Sequence, residues 1–247
     1  MAIAIALATV LATFLGGMLA LKSHQRLHLV LGLSAGLLLG LVAFDLIPEV
    51  FELNTAEVAH VPLVMVLFVA GFLLLHILER FSGAHEPLDA DTDHIHTHSH
   101  SATGVLGAIG MVGHVFLDGV AVALAFSVST GTGIAVSVAV VAHAFSDGLN
   151  TVSMLIHHGK WQSRAKWLLA ADGVARVSGA VLGSILTISE PLLGVYLALF
   201  AGFVVYLATA HILPEAHSRH SSKGTLATTM FGVAAMFAIV SLTHGGH

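Results

Sequence analysis

Apolar residues along this chain come in long runs, neither alternating with polar ones nor confined to one helical face. Eight such runs lie at about 2–21, 29–50, 61–80, 104–127, 132–157, 166–188, 191–212 and 224–243. Each is close to the roughly 20 residues that cross a bilayer core. Backbone in hydrocarbon must satisfy its own hydrogen bonds, so each run is expected to be a helix. The pattern predicts an all-α integral membrane protein, a single eight-span domain over residues 1–247. Composition agrees: 56% of residues are hydrophobic and 9% charged, and mean hydropathy is +0.92. That charge is too sparse to coat a soluble domain of this size. The lipid bilayer is therefore the expected surrounding, and a thinly spread formal charge of −5 gives no footing for nucleic acid.

Basic residues set the orientation. Lys22 and Arg26 fall in the first loop, Arg80 in the third, Lys160, Arg164 and Lys166 in the fifth, and Arg219 and Lys223 in the seventh. The even-numbered loops carry none, so the positive-inside bias places the odd loops in the cytoplasm and both termini outside. The first run has no positive residue before it, the reverse of a signal peptide's order. It reads as a first span. One basic residue, Arg176, stands inside the sixth run and needs a separate explanation.

The fourth and fifth runs carry one pattern twice. The first copy reads His114-Val115-Phe116-Leu117-Asp118-Gly119, and the second His143-Ala144-Phe145-Ser146-Asp147-Gly148. Residues four apart share a helix face with Cβ atoms about 5–6 Å apart, so each His/Asp pair can act as a two-toothed clamp. Ionisable residues inside a membrane are expensive and usually mark an ion pathway. Two clamps facing each other would bind a divalent cation through His114, Asp118, His143 and Asp147. The alternative is that each pair is a hydrogen-bonded tie between helices. With no cysteine, the donors are nitrogen and oxygen, which suit zinc and related divalent ions and suit copper(I) poorly. The set does not separate Zn²⁺ from Cd²⁺, Fe²⁺, Co²⁺ or Mn²⁺, and binding should be pH-sensitive because the ligands must be deprotonated. Gly107, Gly110 and Gly113 before the first histidine, and Gly119 and Gly148 after the carboxylates, would let the helices approach closely.

Two further features frame this centre. The loop over residues 82–103 is rich in carboxylates and alternating histidines, with His94, His96, His98 and His100 as candidate labile metal ligands on the cytoplasmic side. The plainer reading of that loop is a polar linker. The second run ends Asp45-Leu46-Ile47-Pro48-Glu49 and the seventh His211-Ile212-Leu213-Pro214-Glu215. Their opposite directions suggest an inverted repeat of spans 1–3 and 6–8 around a central pair, 4 and 5. Pro48 and Pro214 would kink or end their helices. Asp45, Glu49, His211 and Glu215 either line a route to the site or cap helix ends. Asn150 is either a further ligand or an interhelical hydrogen bond.

At these residues the chain resembles the ZIP family of divalent-metal transporters, prokaryotic type. The resemblance covers eight spans, outside termini, a His-rich third loop and His-x-x-x-carboxylate-Gly patterns in spans four and five. It implies that zinc or a related ion is the transported substrate, with His114, Asp118, His143 and Asp147 as its ligands. It implies uptake into the cytoplasm by sliding of one helix bundle against another, in the cytoplasmic membrane of a prokaryote, with no enzyme activity. Many members pair, so a homodimer is a further expectation. Departures from the family pattern are Asp in place of Glu, Leu117 and Ser146 in place of proline, and Val115 and Ala144 where two-metal members have a ligand. Arg176-Val177-Ser178-Gly179-Ala180 aligns with the family's Glu-Pro-x-Gly-Ala stretch, so Arg176 would stand where a second metal's carboxylate stood. It would either replace the second ion electrostatically or pair with Asp172 one turn earlier. Rival readings are a cation-diffusion exporter, which has six spans and a soluble metal domain, a membrane-embedded zinc hydrolase, which needs an open coordination position, and a metal sensor that does not transport.

Overall fold

The computed structural model describes residues 1–22, 27–82, 100–155, 163–218 and 223–244. Its helices are α1 (Ala2–Lys22), α2 (Leu27–Leu41), α3 (Ile47–Leu53), α4 (Leu63–Ser82), α5 (His100–Val128), α6 (Thr130–Leu155), α7 (Ser163–Ile185), α8 (Glu190–Tyr206), α9 (Leu213–Ser218) and α10 (Lys223–His244). A wide π turn, Val42–Leu46, joins α2 to α3, and a second, Leu207–Ile212, joins α8 to α9. The result is eight rods at the eight apolar runs, an all-α membrane architecture. One small β-hairpin interrupts it, Glu57–Val58 against Val61–Pro62, turning on the positive-φ residues Ala59 and His60. Ser82 closes α4 and residues 100–103 already belong to α5, so the polar loop is shorter at both ends than 82–103. His94, His96 and His98 lie outside the described residues, as do the side chains of His100 and Asn150.

Proline does not end the second and seventh rods. It lacks an N–H and clashes with the carbonyl four residues back, here those of Phe44 and Ala210. Both carbonyls lie within the π turns, where the hydrogen bonds reach one residue further. The Ile47 N–H donates to the Val42 carbonyl, and the Leu213 N–H to that of Ala208. The helix widens just before each proline and runs on, to Leu53 and to Ser218. Wide turns of this kind are frequent at functional sites.

The rods pack as four close pairs: α5 with α7, α1 with α6, α2 with α10, and α4 with α8. Glycine makes each approach possible, because a Cβ at these positions would fall on a partner backbone. Gly119 lies against the Arg176 carbonyl and Gly179 against that of Phe116, in reciprocal contact across α5 and α7. Gly148 lies against the Thr13 carbonyl and Gly16 against that of Phe145, across α6 and α1. Gly71 with Gly202 and Gly36 with Gly232 repeat the arrangement in the other two pairs. Small residues at such crossings are how membrane helices gain van der Waals contact without a hydrophobic driving force. The glycines of the repeated pattern therefore hold α5 to α7 and α6 to α1, rather than α5 to α6 as their position had suggested. Gly113 faces open space.

The second and seventh rods supply much of the core through Leu38, Leu41, Leu46, Leu197, Phe200 and Ile212. Outward stripes are apolar at helical spacing: Leu7, Leu11 and Phe14 on α1, and Val66, Val69, Leu73 and Ile77 on α4. Contiguous exposed apolar surface on this scale marks a lipid-facing wall.

Candidate metal site

A single residue, Ser129, separates α5 from α6, so the two helices form a tight antiparallel hairpin. Ser129 shapes the turn, its Oγ accepting the Thr132 N–H at 3.0 Å and its carbonyl accepting the Gly133 N–H at 3.0 Å. His114 and His143 stand almost equally far along the chain from Ser129. The hairpin thus brings them to one level. Their ring centroids are 5.8 Å apart.

One donor atom each from His114, Asp118, His143 and Asp147 lies within 4.8 Å of all the others. Among the described residues this is the one group of three or more His, Asp or Glu donors that converges in this way. Asp118 is the hub. Its Oδ2 is 2.9 Å from His143 Nε2 and 3.6 Å from His114 Nε2. His143 Nε2 is also 3.9 Å from Asp147 Oδ2. The Asp118 and His143 side chains are fully buried. With a hydrogen on Nδ1, His143 donates to the Ala139 carbonyl 3.1 Å away, which can only accept. Nε2 is then the nitrogen presented to the site, and the carbonyl holds the ring in orientation, as outer partners of metal-bound histidines do. His114 Nε2 and Asp118 Oδ1 are buried without a hydrogen bond. Unfilled donor capacity of this kind is expensive inside a protein unless something occupies it. The arrangement is chemically suited to a divalent cation held by two nitrogens and two oxygens.

Arg176 of α7 completes the centre. Its Nη1 is 3.4 Å from Asp118 Oδ2 and its Nη2 3.4 Å from Asp147 Oδ2, so one guanidinium spans the carboxylates of both clamps. The side chain is 1% exposed. Asp172, the other partner the sequence offers, makes no hydrogen bond with either carboxyl oxygen.

The family model for ZIP zinc transporters matches residues 82–240, well over half of the 247-residue chain. The chain belongs to the ZIP zinc transporter family. ZIP members are transporters with zinc as the transported substrate, so the hydrolase, cation-diffusion-family and sensor readings are set aside. As a ZIP transporter the chain carries divalent metal across a membrane, and the buried His/Asp cluster fits a metal site on that route.

Asp45, Glu49, His211 and Glu215 are not among the four converging donors. Asp45 is buried within the first π turn and His211 lies in the second; Glu49 and Glu215 stand in the first turns of α3 and α9. A polar network in this ZIP chain escaped the sequence reading. His211 Nε2 is 2.6 Å from Glu79 Oε1, the Tyr206 hydroxyl donates to Glu79 Oε2 at 2.6 Å, and His76 Nδ1 is 3.1 Å from that hydroxyl. His76 and Glu79, three residues apart in an apolar helix, are the signal the sequence holds for it. Two hydroxyls also reach the ligand helices from the interior rods. Tyr196 of α8 donates to the Leu117 carbonyl at 2.8 Å, next to Asp118. Ser34 of α2 donates to the Ala142 carbonyl at 3.0 Å, next to His143.

Proposed function

We propose that this protein takes zinc into the cytoplasm, holding one ion at a time on His114, Asp118, His143 and Asp147 and exposing it alternately to the two sides of the membrane. The observation that carries this reading is the convergence of those four donors within 4.8 Å in a buried site between successive helices. A single-ion site is supported by Arg176, which places a positive charge beside the clamps, against the two carboxylates a second ion would share. The outside termini rest on the alternation of Lys and Arg among the loops, and the inward direction on the resemblance to the family. The His-rich tract within residues 82–103 would then buffer or sense metal on the inner face, in a single eight-span unit. We place it in the cytoplasmic membrane of a prokaryote, as the resemblance to prokaryotic members implies.

Alternating access between inverted halves is supported by the pairing of the rods. Exchanging spans 1, 2 and 3 with 6, 7 and 8, and 4 with 5, turns the α1–α6 pair into α7–α5 and the α2–α10 pair into α8–α4. The two π turns before Pro48 and Pro214 obey the same exchange. So do Ser34 and Tyr196, which bond backbone next to a ligand on each half. Sliding the ligand helices past the interior rods would break those two bonds. Phenylalanine in place of Tyr196 removes one of them, worth about 1 kcal/mol. The expected result is unchanged zinc binding with a severalfold change in the maximal uptake rate; identical kinetics would show that the contact does not move.

The direct test is uptake of several divalent metals, alone and in competition, into proteoliposomes of known orientation, with His143→Ala as control. Inward zinc flux that disappears in His143→Ala is expected. Flux that persists in that variant would detach transport from this site.

A further inference from the structure

Arg176 and Asp172 are both buried, at 1% exposure each, and each has an unmet need. The Arg176 Nε has no hydrogen-bond partner, and its two ion pairs are single contacts at 3.4 Å, long for charge-assisted bonds. Both oxygens of Asp172 lack a hydrogen-bond partner among the described residues. A buried carboxylate left so is costly, and a buried cation sharing poor contacts is little better. Four residues apart on α7, the two side chains lie on one helix face within reach of each other. Asp172 also lies within electrostatic range of Asp147 and Asp118. Arg176 lines a cavity of about 660 Å³ between α1 and α7, bounded by Val10, Thr13, Phe14, Leu169 and Gly173.

We infer that Asp172 is the second berth of Arg176: a divalent cation entering the clamps displaces the guanidinium from Asp118 and Asp147, and it turns to pair with Asp172. The inference rests on the metal site proposed above. In the empty site Arg176 offsets the two carboxylates that have no ion. In the filled site those carboxylates bind the metal, and Asp172 offsets the released arginine. One cation is exchanged for another, and neither state leaves the guanidinium or the clamp carboxylates without opposite charge in a low-dielectric interior. Asp172 is thus a positioning residue that acts on metal affinity through Arg176 and does not touch the ion.

A double-mutant cycle on the full-length protein tests this by calorimetric zinc titration, using wild type, Asp172→Asn, Arg176→Gln and the double variant. Without its second berth the arginine competes harder for Asp118 and Asp147, so Asp172→Asn is expected to weaken zinc binding about tenfold, within the usual range of coupling between neighbours. In the Arg176→Gln background the same change is expected to have no effect. Equal weakening in both backgrounds would make Asp172 a direct ligand or a structural residue and overturn the berth. No weakening in either would overturn it as well. If Arg176→Gln does not fold, infrared difference spectra of protein carrying isotope-labelled arginine replace it. Zinc should shift the guanidinium band in wild type, and a band that stays put refutes the exchange. Should wild type bind zinc no better than His143→Ala, the metal site itself has failed, an outcome separate from failure of the berth.

Discussion

Zinc titrated into the Asp118→Asn protein is expected to bind more than about a hundredfold more weakly than to wild type. Losing a residue that merely orients a metal ligand costs about 10–100-fold, and loss of a ligand should exceed that. Asp118 is the residue on which the others converge, with its Oδ2 within 2.9 Å of His143, 3.4 Å of Arg176 and 3.6 Å of His114. Asparagine keeps the shape but removes the charge, and its neutral amide oxygen is a weaker ligand than a carboxylate. The cation would then meet an amide beside the guanidinium, with Asp147 as the one remaining carboxylate of the clamps. Isothermal calorimetry on purified protein checks this, with gel filtration to establish that the variant is folded. Binding within about threefold of wild type would remove Asp118 from the site.

The second large effect concerns assembly. Gly148→Leu is expected to lower the thermal transition of the detergent-solubilised protein sharply or to prevent folding. A Cβ at residue 148 falls on the Thr13 carbonyl, backbone that cannot move unless α1 withdraws from α6. Gly16 meets the Phe145 carbonyl in the same crossing, so the two helices are in near backbone contact there. Overpacking of well-filled cores costs about 1–3 kcal/mol, and a clash with main chain belongs at the top of that range or above it. Because Gly148 adjoins Asp147, whatever folds should also bind zinc poorly. Gly113→Ala is the control: its Cβ would meet open space, and alanine is the better helix former by up to about 1 kcal/mol. A thermal transition unchanged by Gly148→Leu would show that the α1–α6 crossing is looser than described.

The sequence by itself determined the eight rods, because twenty consecutive apolar residues admit few structures in a bilayer. It also determined the chemistry of the centre. His114 with Asp118 and His143 with Asp147 are four apart, and helical geometry alone puts each pair on one face. These are local properties, readable from neighbours along the chain. What lies across from a residue is not local, and there the tertiary structure decided. It turned Arg176 toward the two clamps and left Asp172 without a hydrogen bond. It gave Gly119 and Gly148 to α7 and α1, two helices distant in sequence from the motif. It let the second and seventh rods pass through Pro48 and Pro214, because a π turn supplies the room that an unbroken α-helix denies. Glu79 shows the same limit: its place near a span end was plain, but its partners Tyr206 and His211 come from a rod more than a hundred residues away. Spacing along one helix fixes which donors share a face, whereas the charge balance around them depends on which helices pack together.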